Sequence, residues 1–270
     1  MKRLVFSLMI MMALLLVGCG RAGQSLVTAG GKAESRSVSG HIKSLEVTGI
    51  HLSLKGDNTG PRVELFSDGG LPRAELKGQQ DVLDKLSFEL AGDALKLSGP
   101  ENLRFAISEE LVLSLYNCSL DRLKLGGGCR FTAEAMEPLS FTADLSGASS
   151  ATVGRLSSEG LKIDLSGASA FVIEKAELSG GMNLHISGAS FLSLKGKGTE
   201  LFAVITGASK VMASEFELTK TTLTVAGASS LECFVTELLG GSISGASEVY
   251  YKGSPELATS VGSSSLLEKR

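Results

Sequence analysis

Three residues combine the side chains and the spacing that chemistry would need. Asp144, Asp164 and His185 stand 20 and 21 residues apart, each three residues before a glycine. If those intervals are the turns of a stacked β-structure, the three lie on consecutive strands, about 4.8 Å from neighbour to neighbour. Two carboxylates that close repel, so one would hold its proton or the pair would share a cation. A gap near 5 Å would also suit a retaining glycosidase. Asp144, Asp164 and His185 are therefore the residues for a cation or glycan site. The same position continues as Val204, Thr224 and Ser242, with no further acid. An outward column must be polar somewhere, and the reading is a solvated face with no catalytic residue, no metal and no cofactor.

Serine also recurs, at Ser149, Ser169, Ser190, Ser209, Ser229 and Ser247. Nucleophilic catalysis needs a base in reach, yet no histidine recurs with these serines and no Gly-x-Ser-x-Gly elbow is present. Beyond Cys19, the cysteines Cys118, Cys129 and Cys233 lack metal-ligand spacing and read as buried small apolar residues, with pairing of Cys118 and Cys129 left open.

The elements that would position these groups follow from a repeat. Gly-Ala-Ser begins at Gly147, Gly167, Gly188, Gly207, Gly227 and Gly245, at spacings of 20, 21, 19, 20 and 18. Looser copies flank the run at Gly127-Gly128-Cys129 and Gly262-Ser263-Ser264. Two residues before the glycine stand Leu145, Leu165, Ile186, Ile205, Val225 and Ile243. After the motif come Ala151, Phe171, Leu192, Val211, Leu231 and Val249. Alternation with period two on both sides gives two strands per repeat, each with one buried face. Such a pair cannot bury its own inner face, so repeats must stack on a shared core. The expected fold is all-β: a right-handed parallel β-helix, or solenoid, of about 20-residue turns with Gly-Ala-Ser corners. At each corner glycine takes a positive φ, Ala fits a tight inward bend and Ser satisfies backbone groups. Val172, Met212, Val204 and Tyr250 are expected to form an exposed apolar face.

The amino terminus sets the compartment. Lys2 and Arg3 precede an apolar run from Leu4 to Val17, the layout of a signal peptide, and too short for a span that needs roughly 20 residues. The segment ends Leu16-Val17-Gly18-Cys19, which resembles a lipobox, with Cys19 the acylated residue. The expected organisation is a signal peptide over 1–18, a lipidated Cys19 and flexible tether over 19–40, an irregular β half over 41–125 that caps the solenoid, and regular repeats over 126–265. Removing Lys2 and Arg3 takes the formal charge from −3 to −5, and no basic cluster remains to hold nucleic acid.

Taken together, the lipobox, the opening strand Ile42 to Val47, the block around Leu95-Lys96-Leu97 and above all Leu-Ser-Gly-Ala-Ser at 145–149 and 165–169 resemble the putative auto-transporter adhesin, head GIN domain family. The resemblance covers roughly residues 41–252 and implies a β-helical domain with an adhesive surface role; it supplies no catalytic residues. The reading is a non-enzymatic cell-envelope lipoprotein, held at the outer membrane through its lipid anchor, whose partners are polysaccharide, an envelope protein or a second copy of itself through the carboxyl end near Tyr250 to Leu267. The alternatives are a purely structural periplasmic protein and a polysaccharide-cleaving enzyme using Asp144, Asp164 and His185. β-Helical enzymes that cleave acidic polysaccharides resemble the latter in carrying aspartates on adjacent turns.

Overall fold

A computed structural model describes residues 25–54 and 57–270. The signal peptide and Cys19 lie outside the described residues. The chain is nearly all β, 65% strand and 2% helix, and its stacked parallel coils form a β-solenoid of about 7 turns. Two compact units are present: one comprises the described residues through Cys118 with 124–132 and 146–150, the other 119–123, 133–145 and 151–270.

The first unit mixes parallel and antiparallel pairing. Ala33–Ser39 runs antiparallel to Arg73–Gln79, which runs antiparallel to Val112–Tyr116, which is parallel to Arg62–Phe66. Ser44–Thr48 lies parallel to Ala94–Ser98, which closes a hairpin with Ser87–Ala91. Inward residues such as Leu45, Val47, Val63, Leu76, Leu95 and Leu113 are fully buried. Residues 25–40 are not a tether throughout. Ser25–Thr28 pairs with Leu103–Ile107, and Ala33–Ser39 pairs with Arg73–Gln79 over seven residues. Their glycine and serine content suggested a linker, but every second residue of the later strand faces a neighbour whose backbone groups it satisfies.

The second unit carries the regular repeats. Six parallel pairings join Ser140–Leu145, Gly160–Leu165, Gly181–Ile186, Glu200–Ile205, Lys210–Val225, Ser230–Ile243 and Glu256–Val261. On the far side of each corner, Ala170–Leu178 stacks on Phe191–Lys197 and so on to Leu266–Lys269. Buried columns match the alternation: Leu165, Ile186, Ile205, Val225 and Ile243 are at most 1% exposed. Coils of unequal length keep this register because the difference is taken up in bulges, for example between Ile173 and Ala176 and between Ala213 and Glu217. A slip of one residue would turn every core side chain outward.

The corner glycines carry φ of +71 to +85° at Gly167, Gly188, Gly207 and Gly227. Close approach constrains them further. A Cβ on Gly207 would sit 2.3 Å from the Gly188 carbonyl oxygen, and one on Gly227 2.4 Å from that of Gly207. Those same oxygens accept the N–H of Ala208 and Ala228, each at 2.7 Å.

The corner alanine reverses its expected orientation, while the serine satisfies backbone groups as expected. Ala189, Ala208, Ala228 and Ala246 face solvent, while Ser169, Ser190, Ser209, Ser229 and Ser247 are at most 1% exposed. Serine turns inward because its hydroxyl satisfies buried carbonyls that alanine cannot. Ser169 Oγ donates to Ser166 O and Ser190 Oγ to Ser187 O, both at 2.8 Å, and Ser229 Oγ to Ala226 O at 3.0 Å. In the first unit, Cys129 takes the serine's place, its Sγ 3.1 Å from Gly126 O.

The final corner is offset by one residue from its expected alignment. Glu248 pairs with Leu266, so Ser263 rather than Gly262 stands opposite Gly245. Among the described residues Asn117 is the one non-glycine with positive φ, so Ser263 does not adopt the glycine bend.

Candidate functional site: the outer sheet face

The outer face of the first strand of each coil brings the sequence-designated residues together. Asp144 stands opposite Asp164, Asp164 opposite His185, and His185 opposite Val204, on four consecutive parallel strands. The column continues through Thr224 and Ser242 to Ser260.

Asp164 is already engaged. His185 Nδ1 lies 3.3 Å from Asp164 Oδ1, and Lys162 Nζ lies 3.1 Å from Oδ2. With these side chains one-third to more than half exposed, each pair contributes little to stability, about 0–1 kcal/mol. What the pairs do is hold the carboxylate and the imidazole in place across two strands. Among the described residues no group of three His, Cys, Asp or Glu side chains is placed to hold a metal ion.

One residue of this face was missed in the sequence. Phe202 is 52% exposed, on the strand that follows His185, and points outward beside Val204, itself 39% exposed. The signal was available: Leu201, Ala203 and Ile205 alternate inward, which leaves 202 and 204 outward. Phe202 stands opposite Asn183 and Thr222. The face therefore presents an aromatic ring with an amide and a hydroxyl opposite it on the adjacent strands, the His185 imidazole on one of those strands, and the Asp164 carboxylate and Lys162 ammonium group one strand further.

The expected apolar face of Val172, Met212, Val204 and Tyr250 is not one surface. Met212 stands opposite Ser193 and Glu232, and Tyr250 opposite Glu232 and Glu268, on strands beyond the corner from Val204. Charged neighbours interrupt that column. An open groove of about 700 Å³ lies elsewhere, lined among others by Glu137, Leu139, Glu159, Glu177 and Lys197. There Lys175, 2.8 Å away, holds the Glu177 carboxyl below the usual carboxylate range, with Lys197 assisting.

Serine and cysteine chemistry is withdrawn from solvent. The corner hydroxyls are buried donors to carbonyls. Cys118, Cys129 and Cys233 are free and buried, and burial pushes the thiols of Cys129 and Cys233 up to about 12.

The chain is an adhesin-like β-solenoid, with Asp144, Asp164 and His185 on an outer sheet face. The chain belongs to the family described as "Putative auto-transporter adhesin, head GIN domain", which matches residues 62–255. Solved structures share the fold. A "putative adhesin" from Parabacteroides merdae aligns with TM-score 0.78 and 15% identity over 91% of this chain and 99% of its own. A "putative adhesin" from Parabacteroides distasonis gives TM-score 0.78 and 15% identity, covering 91% of this chain and all of its own. A "putative lipid binding protein" from the same species gives 0.77 and 15%, with the same coverage. None of the curated proteins compared matches the chain. Membership of an adhesin family points to an extracellular or envelope-associated protein. Among the described residues no helix is long and apolar enough to cross a membrane.

Proposed function

We propose that this chain is a non-enzymatic, lipid-anchored module of the cell envelope that binds polysaccharide through the outer face around Phe202. The exposed Phe202 ring, one strand from His185 and two from Asp164 on the same outer face, carries this reading. The apolar C–H face of a sugar packs on such a ring, while hydroxyls at its edge bond to the surrounding carboxylate, imidazole and amide groups. Strands about 4.8 Å apart repeat on the scale of a single sugar residue, so one chain of a glycan crosses several coils. The lipobox-like segment Leu16-Val17-Gly18-Cys19 supports the anchor.

Cleavage is the second reading, favoured by the register of Asp144 beside Asp164. Against it, both Asp164 oxygens are already engaged, one by the Lys162 ammonium and the other by the His185 imidazole. The test is retention of the full chain on immobilised polysaccharides, comparing wild type, Phe202→Ala and Met212→Ala. Loss of retention in the Phe202 variant alone supports the reading. Equal retention in all three, or capture of protein but no glycan, overturns it.

A further inference from the structure

We propose that the outer side of strand Ser25–Thr28 is seated on the lipid surface that holds the anchor, with Leu26 inserted at the interface and Arg104 set against anionic headgroups. This rests on the reading of Cys19 as the acylated residue.

Chain length gives the first argument. Cys19 and Ser25 are separated by residues 20–24, so however those residues are arranged, the Ser25 backbone lies within about 20 Å of the acylated cysteine. That is less than the thickness of a bilayer core. The strand is therefore confined to the neighbourhood of the headgroups.

Its own anatomy gives the second. All four residues of Ser25–Thr28 are exposed, with Leu26 64% and Val27 36% accessible. Leu26 is nevertheless fixed in place. The strand pairs in parallel with Leu103–Ile107, and its ends are tied by the Ser25 N–H to Asn102 O at 3.0 Å and the Ala29 N–H to Ala106 O at 2.8 Å. The turn that follows is held by the Gly30 N–H, which donates to Asp81 Oδ2 at 2.9 Å. An apolar strand at a sheet edge usually carries charge or cover against aggregation, and among the described residues this one has neither.

Charge gives the third. Arg104 stands opposite Leu26 on the neighbouring strand, half-buried, without an ion pair among the described residues. A cation beside an exposed leucine is the pairing that suits an anionic interface: the side chain enters the acyl boundary while the guanidinium stays with the headgroups. The acyl chain supplies affinity, and the strand orients the first unit on the surface.

The experiment uses the full chain with Leu26→Cys, labelled with an environment-sensitive fluorophore. The buried thiols of Cys118, Cys129 and Cys233 leave residue 26 as the reactive position once Cys19 is acylated. The labelled chain is placed in vesicles of phosphatidylcholine with phosphatidylglycerol, and mass spectrometry records the acyl group. The reference is the same label on the Cys19→Ser chain in buffer. Blue-shifted emission, with strong quenching by headgroup spin labels, is expected. Separately, the mature chain from Gly20 onward, which has neither the apolar run Leu4–Val17 nor the acylated cysteine, should bind anionic vesicles weakly, and adding Leu26→Asp should weaken that binding about tenfold. Emission unchanged from the buffer reference in a chain with a confirmed acyl group overturns the seating and leaves the anchor intact. A chain with no acyl group at Cys19 overturns the anchor, and the seating with it.

Discussion

Substituting Gly207 by alanine isolates what holds the coils at their common spacing. The new Cβ would lie 2.3 Å from Gly188 O, in a residue whose φ is +79°. Left-handed backbone costs a non-glycine residue roughly 1–2 kcal/mol. To relieve the contact the coils must separate at the corner, which stretches the 2.7 Å bond from the Ala208 N–H to Gly188 O. Losing that bond costs about another 1 kcal/mol. The sum, about 3 kcal/mol with residual strain, lowers Tm by roughly 6–12 °C in a protein of this size. The control is Gly181→Ala on the same sheet, where a Cβ would meet nothing within 4 Å and φ is not positive. That variant should change stability by less than about 0.5 kcal/mol. The assay is thermal unfolding followed by far-UV circular dichroism, with folding checked at low temperature. Equal Tm values for the two variants would refute the argument that close approach at the corner, rather than glycine content, keeps the stack in register.

Other consequences follow from the same geometry. Ser190→Ala should destabilise by about 1 kcal/mol in urea titration, because the Ser187 carbonyl loses its 2.8 Å donor, whereas Ser190→Cys should cost less, as Cys129 fills the same role. In the first unit, the side-chain bond to Arg73, then that to Asn117, holds the Asp68 carboxyl well below its ordinary value of 3.8. Since the folded value is depressed, its contribution is complete above about pH 4 and is lost as pH falls towards the folded value. The stability difference between wild type and Asp68→Asn should therefore shrink between neutral pH and pH 3. Native protein should leave Cys129 and Cys233 unmodified by a thiol reagent at pH 8 and expose them only in denaturant; rapid native reaction would contradict their burial. In the last coil, Leu257 and Val261 are 47% and 44% exposed, where the matching Leu239 and Ile243 are 0% and 1%. Sedimentation of the full chain should show self-association that Leu257→Lys with Val261→Lys reduces.

The solenoid was legible because its constraint is periodic. Every coil must repeat an inward aliphatic two residues before the glycine, and Leu165, Ile186 and Ile205 display it without reference to any partner. The placement of Asp144, Asp164 and His185 in one column follows from the same count. What was not legible depends on which way a short residue turns. Small size suggested that Ala points into the corner, but Ser goes in because an unsatisfied buried carbonyl costs more than a buried hydroxyl that is bonded. The offset at Ser263 was hidden by a glycine one position early. Residues 33–39 read as linker by composition, since their partner strand, Arg73–Gln79, is some forty residues away and leaves no local trace. The separation of Val204 from Met212 and Tyr250 depends on the bend between strands, which alternation alone does not encode.

The central claim is tested most directly by incubating the full chain with a panel of polysaccharides, with and without calcium, recording bound protein and released fragments together. Saturable retention without fragments, independent of calcium and lost in Phe202→Ala, is the predicted result. Soluble fragments that disappear in Asp164→Asn would contradict it and make the column Asp144, Asp164 and His185 a catalytic site.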